Sequence, residues 1–154
     1  MFKLERCFTM AKNASSFSDF PKIKIGAVII CKNKVLSVGW NVRKETPMQK
    51  KFNEYRNFDP EKNLNSAHAE MIALDRLIKS QIEVDYSKCS IFIYREHKNG
   101  DLALARPCPA CEAALRSIGI RDIYYTGNNS YIHEKYLTEE SKKEIIENEK
   151  NETD

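Results

Sequence analysis

The chain has 154 residues, 42% hydrophobic and 31% charged, the proportions of one soluble globular domain large enough for a proper core. No apolar run approaches a bilayer span, Lys3, Glu5 and Arg6 break up the first ten residues against a secretory signal, and five cysteines without such a signal point to a reducing compartment, by default the cytoplasm, rather than to a disulfide framework. The net charge of +3 is uneven: from Thr138 to Asp154 seven acids against three bases give −4, leaving +7 on the rest, which is either a body suited to a phosphate-bearing ligand or ordinary surface charge with an acidic tail.

Met1 to Ala14 is predicted as an opening helix with Phe8 and Ala11 on its inner side, and Asn13 to Pro21 reads as a loop. Ile23 to Ile30 form the first strand, where Gly26 marks a close backbone approach or a bulge. Lys32-Asn33-Lys34 turns the chain into a second strand, Val35 to Trp40, and the pair reads as a hairpin. The stretch from Val42 to Leu64 is long for a connection inside a compact domain, and such length tends to be functional. It carries Arg43, Lys44, Lys50, Lys51, Arg56 and Lys62, while Met48, Phe52, Tyr55 and Phe58 recur at steps of four, three and three, as in a short amphipathic helix. Bases interleaved with aromatics either grip a nucleotide or a single strand, or are the solvated side of a helix whose aromatic face is core.

Ser66 to Ser80 is the next predicted helix, with Asn65-Ser66 as N-cap candidates and Met71, Leu74 and Ile78, flanked by Ile72 and Leu77, as its apolar face. Ser90 to Tyr94 reads as a strand buried on both faces. Asn99-Gly100 is a turn within a small hairpin between Arg95 and Arg106. Pro107 to Gly119 is a helix that Gly119 ends, and Ile120 to Thr126 is a strand. The gap to Tyr131 is only about four residues, whereas a parallel crossover needs a dozen or more. An antiparallel hairpin with Tyr131-Ile132-His133 as fifth strand is therefore expected; its rival is a helix from Tyr131 onward. Thr138 to Asn151 reads as a polar terminal helix frayed at its end. The expected class is α/β: three α/β/α layers around a mixed sheet of about five strands, with one domain over 1–137 and a polar tail over 138–154.

Two short stretches carry chemistry: His68-Ala69-Glu70 and Pro107-Cys108-Pro109-Ala110-Cys111, together H-x-E … P-C-x-x-C. Two thiolates and a neutral imidazole offset the charge of a zinc ion and leave one tetrahedral position for water, whose proton is then released near neutral pH. Cys108 and Cys111 are three apart, on one helix face, and Pro109 belongs in a first helical turn, whose partial positive charge favours a thiolate. His68 and Glu70 are two apart and reach a common ion only at a helix start. Glu70 is free to move protons, because three ligands suffice without it. A structural zinc site would close all four positions, with His97 or His133 as the only other imidazoles. Cys7, Cys31 and Cys89 read as small buried hydrophobes.

This constellation resembles the cytidine/deoxycytidylate deaminase superfamily over roughly Lys22 to Tyr136. The resemblance implies a zinc-dependent hydrolytic deaminase, with His68, Cys108 and Cys111 as ligands and Glu70 as the proton carrier. It implies a sugar or substrate contact at Asn41 and hydrogen bonds from the backbone amides of Ala69 and Cys111. Thr46 and Arg95 are further candidates for phosphate or base contact, and Trp40 either stacks on a base or packs. Ile25-Gly26-Ala27-Val28-Ile29 and His68-Ala69-Glu70-Met71 resemble deoxycytidylate deaminases, which favours a small cytosine nucleotide as substrate. The final hairpin and the long basic connection depart from that group's usual pattern. They leave room for two alternatives: deamination of cytosine or adenine in single-stranded DNA or RNA, or a zinc-stabilised nucleotide-binding module without turnover. A homo-oligomer fits the resemblance; a membrane partner does not.

Overall fold

In a computed structural model the protein is described over residues 3–59 and 66–153. Five strands, β1 (Ile25–Cys31), β2 (Lys34–Trp40), β3 (Cys89–Arg95), β4 (Asp122–Gly127) and β5 (Ser130–Lys135), form one sheet in the order β2-β1-β3-β4-β5. Among the described residues only β3 and β4 pair in parallel; β1 with β2, β1 with β3 and β4 with β5 are antiparallel. The helices are α1 (Leu4–Ser15), α2 (Pro47–Phe52), α3 (Ala69–Lys79), α4 (Pro109–Ile118) and α5 (Glu139–Thr153). The mixed sheet, its α/β class and the expected β4–β5 hairpin are all present, and the rival helix from Tyr131 is not.

Side-chain alternation along the strands builds two cores. Val28, Ile30, Phe92 and Tyr94 pack against Cys7, Phe8 and Ala11 of α1. Ala27, Ile29, Ile91, Ile93, Ile123 and Tyr125 face the other way, onto Met71, Leu74 and Leu77 of α3 and Ala114 and Leu115 of α4. Burying each of these large aliphatic side chains contributes roughly 1.5–3 kcal/mol, so the second core anchors both site-bearing helices firmly to the sheet.

Gly26 serves close approach: a Cβ there would sit 1.9 Å from Ala11 O and 2.6 Å from Ser15 N of α1. The register irregularity in β1 falls elsewhere, between Ile29 and Ile30. Several local expectations are corrected. α1 runs on to Ser15, past the predicted loop start. Ile23 lies outside β1. Ile78 is 43% exposed and belongs to the solvent side of α3, because the helix buries Ala73 and Leu77 instead. The connection after β2 is not one helix through Phe58: α2 stops at Phe52, a 3-10 turn follows over Asn53–Tyr55, and Tyr55 is exposed. Asn65 lies outside the described residues, and the N-cap of α3 is His68, not Ser66. Cys7, Cys31 and Cys89 are buried free thiols, as expected of small hydrophobes. No helix among the described residues is long and apolar enough to cross a membrane.

Candidate active site

Two helix starts converge. His68 is the N-cap of α3, with extended backbone (φ −75°, ψ 155°), and Glu70 is the second residue of the helix. Cys108 caps α4 in the same conformation (φ −68°, ψ 166°), Pro109 occupies the first helical turn, and Cys111 is the third helical residue. The fixed φ of Pro109 and its missing N–H suit that first turn. The extended caps turn His68 and Cys108 along the helix axes, so that residues two and three apart reach a common point.

His68 Nδ1 lies 3.5 Å from Cys108 Sγ and 3.3 Å from Cys111 Sγ. All three ligand atoms lie within 4.8 Å of one another. Zinc bonds of about 2.0 Å to nitrogen and about 2.3 Å to sulfur, at a tetrahedral angle, separate N and S by roughly 3.5 Å, so the trio has the donors and the spacing of a zinc site. It is the only such group among the described residues. His133 stays away from it, stacked on Tyr124 and 2.9 Å from Asp122 Oδ1.

The charges are distributed unequally. A hydrogen bond from Cys111 lowers the Cys108 thiol to about 3, against burial and with help from His68. The same bond, together with burial and the Glu70 charge, pushes the Cys111 thiol well above its ordinary range. Burial opposes charge on His68, but the Cys108 hydrogen bond and the Glu70 and Cys108 charges outweigh it, and its affinity for a proton rises. Burial raises the Glu70 carboxyl, which is 5% exposed.

The site opens into a cleft of about 260 Å³ whose walls include His68, Glu70, Cys108, Asn41, Arg95 and Arg106. Asn41 is buried at the wall. Its Oδ1 accepts from Ile25 N at 2.9 Å and its Nδ2 donates to Ile23 O at 2.8 Å, so its amide fixes the strand that supplies Ile23 and Ile25 to the cleft. Arg95 ends β3 on the cleft wall, with Nη1 3.4 Å from Leu104 O. Ala69 is fully buried as the first residue of α3. Thr46 is placed elsewhere: its Oγ1 accepts from Gln49 N and caps α2, and it is not among the residues lining the cleft. Trp40 packs, between the Phe17 ring and the Arg76 guanidinium.

Two groups around the cleft were not foreseen. Arg106 makes a two-point contact with Glu134 (2.7 and 3.1 Å), which also accepts the Tyr125 hydroxyl at 2.8 Å. Tyr125 is thereby core, while Tyr124 lies on the opposite face, stacked between Phe92 and His133. Behind His68, Gln49 Oε1 accepts the His68 backbone N–H at 2.9 Å. The signal for Gln49 was present in the sequence: Thr46-Pro47 followed by Gln49 has the spacing of a capped helix start, with a polar side chain between Met48 and Phe52.

No curated protein sequence matches the chain. Among solved structures, the sheet and helices superpose on cytidine deaminase from Burkholderia pseudomallei with a TM-score of 0.61 at 18% identity, covering 87% of this chain and 93% of that one. The dCMP deaminase of cyanophage S-TIM5 matches with a TM-score of 0.56 in its apo form, at 23% identity over 80% of this chain and 84% of the other. Its complex with dCMP and dUMP matches at 0.57 and 21% identity, over 81% and 83%. At these identities the likeness is one of fold. The model of the cytidine and deoxycytidylate deaminase zinc-binding region matches residues 1–127, a span that holds both halves of the His/Cys/Cys cluster and the cleft above it, and the chain therefore belongs to the cytidine and deoxycytidylate deaminase family.

Proposed function

We propose that the protein is a zinc-dependent hydrolase that converts the cytosine base of a free nucleotide to uracil, with deoxycytidylate as the favoured substrate. The observation that carries this reading is Glu70: a carboxylate 5% exposed, beside three converging ligand atoms and on the wall of an open cleft. A purely structural site has no use for that carboxylate, and burying it is costly. His68 Nδ1, Cys108 Sγ and Cys111 Sγ would hold the zinc, which supplies a Lewis acid that lowers the pKa of water near neutrality.

The chain's own residues do the rest. Glu70 takes one proton from the attacking water and passes it to the ring nitrogen, then takes the remaining proton from the hydroxyl added to the ring carbon and delivers it to the departing amine as the carbonyl forms; its raised affinity for protons suits a group that must both accept and give twice. The N-termini of α3 and α4 converge on the site, and their partial positive charge favours the negative charge that develops there. Asn41 fixes the cleft wall at Ile23 and Ile25. Arg95 and Arg106 line the same cleft, Arg106 held by Glu134 and Arg95 by Leu104 O, and the positive charge they bring suits a nucleotide phosphate.

The buried side of the basic connection supports a free nucleotide over a single strand. Gln49, Phe52 and Asn53 face inward, and Lys50 and Lys51 face solvent, as in a helix packed over the site. The cyanophage protein, whose fold this chain shares, bears the name dCMP deaminase and has been captured with dCMP and dUMP. Thiolate ligands stay reduced in the cytoplasm, where we place the activity.

The test is ammonia release by the zinc-loaded protein on deoxycytidylate, deoxycytidine and cytosine-containing oligonucleotides. Turnover is expected on deoxycytidylate, with a higher KM for the nucleoside. Preference for oligonucleotides, with binding that weakens steeply as salt rises, would favour the polynucleotide reading. No turnover on any of them would leave a nucleotide-binding module.

A further inference from the structure

The connection between β2 and α3 holds a buried polar pair that the chemistry above does not use. Gln49 is fully buried and Asn53 is 6% exposed. Gln49 Oε1 accepts the His68 backbone N–H at 2.9 Å, and Gln49 Nε2 donates to Asn53 Oδ1 at 2.8 Å. Asn53 Oδ1 accepts a second bond, from Arg56 Nε at 2.9 Å. The two amides are four residues apart across the end of α2 and the turn after it.

Burying two amides costs free energy that an apolar pair of similar volume avoids, even when every group is bonded. The return must be something an apolar pair cannot do. Here it is the hold on His68. As the N-cap of α3, His68 keeps its N–H outside the helical ladder, and its extended backbone decides where Nδ1 points. Without an external acceptor that N–H is orphaned and the cap is free to turn. A shift of half an ångström in a ligand atom is enough to spoil a metal site. Arg56 Nη1 also approaches His68 Nε2 at 3.3 Å, but that is a hydrogen bond only while Nε2 lacks a proton. The backbone route through Gln49 persists in either tautomer.

We propose that Gln49 and Asn53 are positioning residues for the zinc ligand His68: Asn53 orients the Gln49 amide, and Gln49 holds the His68 backbone so that Nδ1 faces the two sulfurs. The inference rests on the zinc reading of the site. It assigns the long connection to the metal centre rather than to substrate.

The test is zinc affinity, measured by competition with a chromogenic chelator on the full-length protein, with activity left aside. Gln49→Met and Asn53→Leu should each lower affinity about 10–100-fold, the usual effect of losing an outer partner of a ligating histidine. Asn53→Asp keeps the oxygen that both donors use and should stay within about threefold of wild type. That rescue separates positioning from bulk packing, because aspartate fills the site no better than leucine does. Lys50→Ala, on the solvent side of the same helix, should change nothing. Circular dichroism of the chelator-treated variants checks that they fold. Should Asn53→Leu fail to fold, Gln49→Met carries the measurement; should both fail while Asn53→Asp folds, the pair supports the fold and the proposal is overturned. Wild-type affinity in Gln49→Met overturns it as well. A wild-type protein that takes up no zinc would instead sink the functional reading itself.

Discussion

Glu70 and the two cysteines differ in their hold on protons, raised at Glu70 and Cys111 and lowered at Cys108, and the consequences are measurable. Glu70→Gln preserves the shape of the side chain but cannot carry a proton, so zinc content should stay stoichiometric while kcat falls by about 10²–10⁴; a variant with wild-type turnover would take Glu70 out of the mechanism. A second consequence concerns metal uptake. Cys108, lowered to about 3 by its bond from Cys111, is already a thiolate at neutral pH and releases nothing when a cation arrives. Cys111 is raised well above the ordinary thiol range, so it enters as a thiol and must lose its proton; His68, also raised, can lose a second. Zinc uptake should therefore release between about one and two protons, and affinity should climb with pH from neutrality to beyond about 9, since the Cys111 thiol is still protonated there. Calorimetry in buffers of different ionisation enthalpy gives the proton number directly, and an affinity flat with pH would contradict this charge arrangement. The ligand trio was legible in the sequence because metal chemistry restricts residue type and spacing together. Asn53 was not, and Gln49 showed only as part of a capped helix start, because a backbone N–H with one acceptor places no signature of its own on the chain. Thr46 shows a related ambiguity: a threonine before a proline caps a helix as readily as it meets a ligand, and here its Oγ1 caps α2.

At the level of elements, the site depends on how closely α3 lies on β2. Gly39 sets that distance: a Cβ there would sit 2.4 Å from Ala69 O and 2.5 Å from Ala73 N, both backbone atoms of α3 that cannot swing away. Gly39→Ala should cost about 1–3 kcal/mol, the range for overpacking a close contact, and it should push outward the end of α3 that bears Glu70 and is capped by His68. The unfolding midpoint should drop by several degrees, and zinc affinity should fall with it. A loss of stability with unchanged zinc affinity would show that the helix start does not follow the body of the helix. Elements with a simple period or a hard length limit were readable from sequence: the β1–β2 hairpin, the αL stop at Gly119 and the short β4–β5 connection. The boundaries that misled were set by tertiary contacts. Ile78 has a helical apolar spacing but points off the sheet, and Tyr55 keeps the period of α2 past the residue where the helix has tightened into a 3-10 turn.

For the molecule as a whole, the question is where the working unit ends. Tyr136 is 4% exposed, its N–H donates to Arg121 O at 2.7 Å, and its ring lies under the Arg116 guanidinium. Leu137 O accepts from Arg116 Nη1 at 3.2 Å, so the body of the protein includes both residues. Beyond them the character changes: α5 begins at Glu139, residues 143–150 are all exposed, Ile145 and Ile146 among them, and the span from Thr138 carries seven acids against three bases. A 15-residue polar helix exposed at every residue from 143 to 150 adds little to a fold, since short helices are marginal in water. None of the cleft residues lies there, and the family match ends at 127. A chain cut after Leu137 should therefore keep its zinc, its turnover and, within about 2 °C, its unfolding midpoint. Its charge changes from +3 to +7, so the cut also asks whether the tail tempers attraction to phosphate: a lower KM for deoxycytidylate at low salt, converging with the full chain as salt rises, is the expected sign. A truncated protein that lost zinc or its cooperative unfolding would instead make α5 part of the deaminase domain.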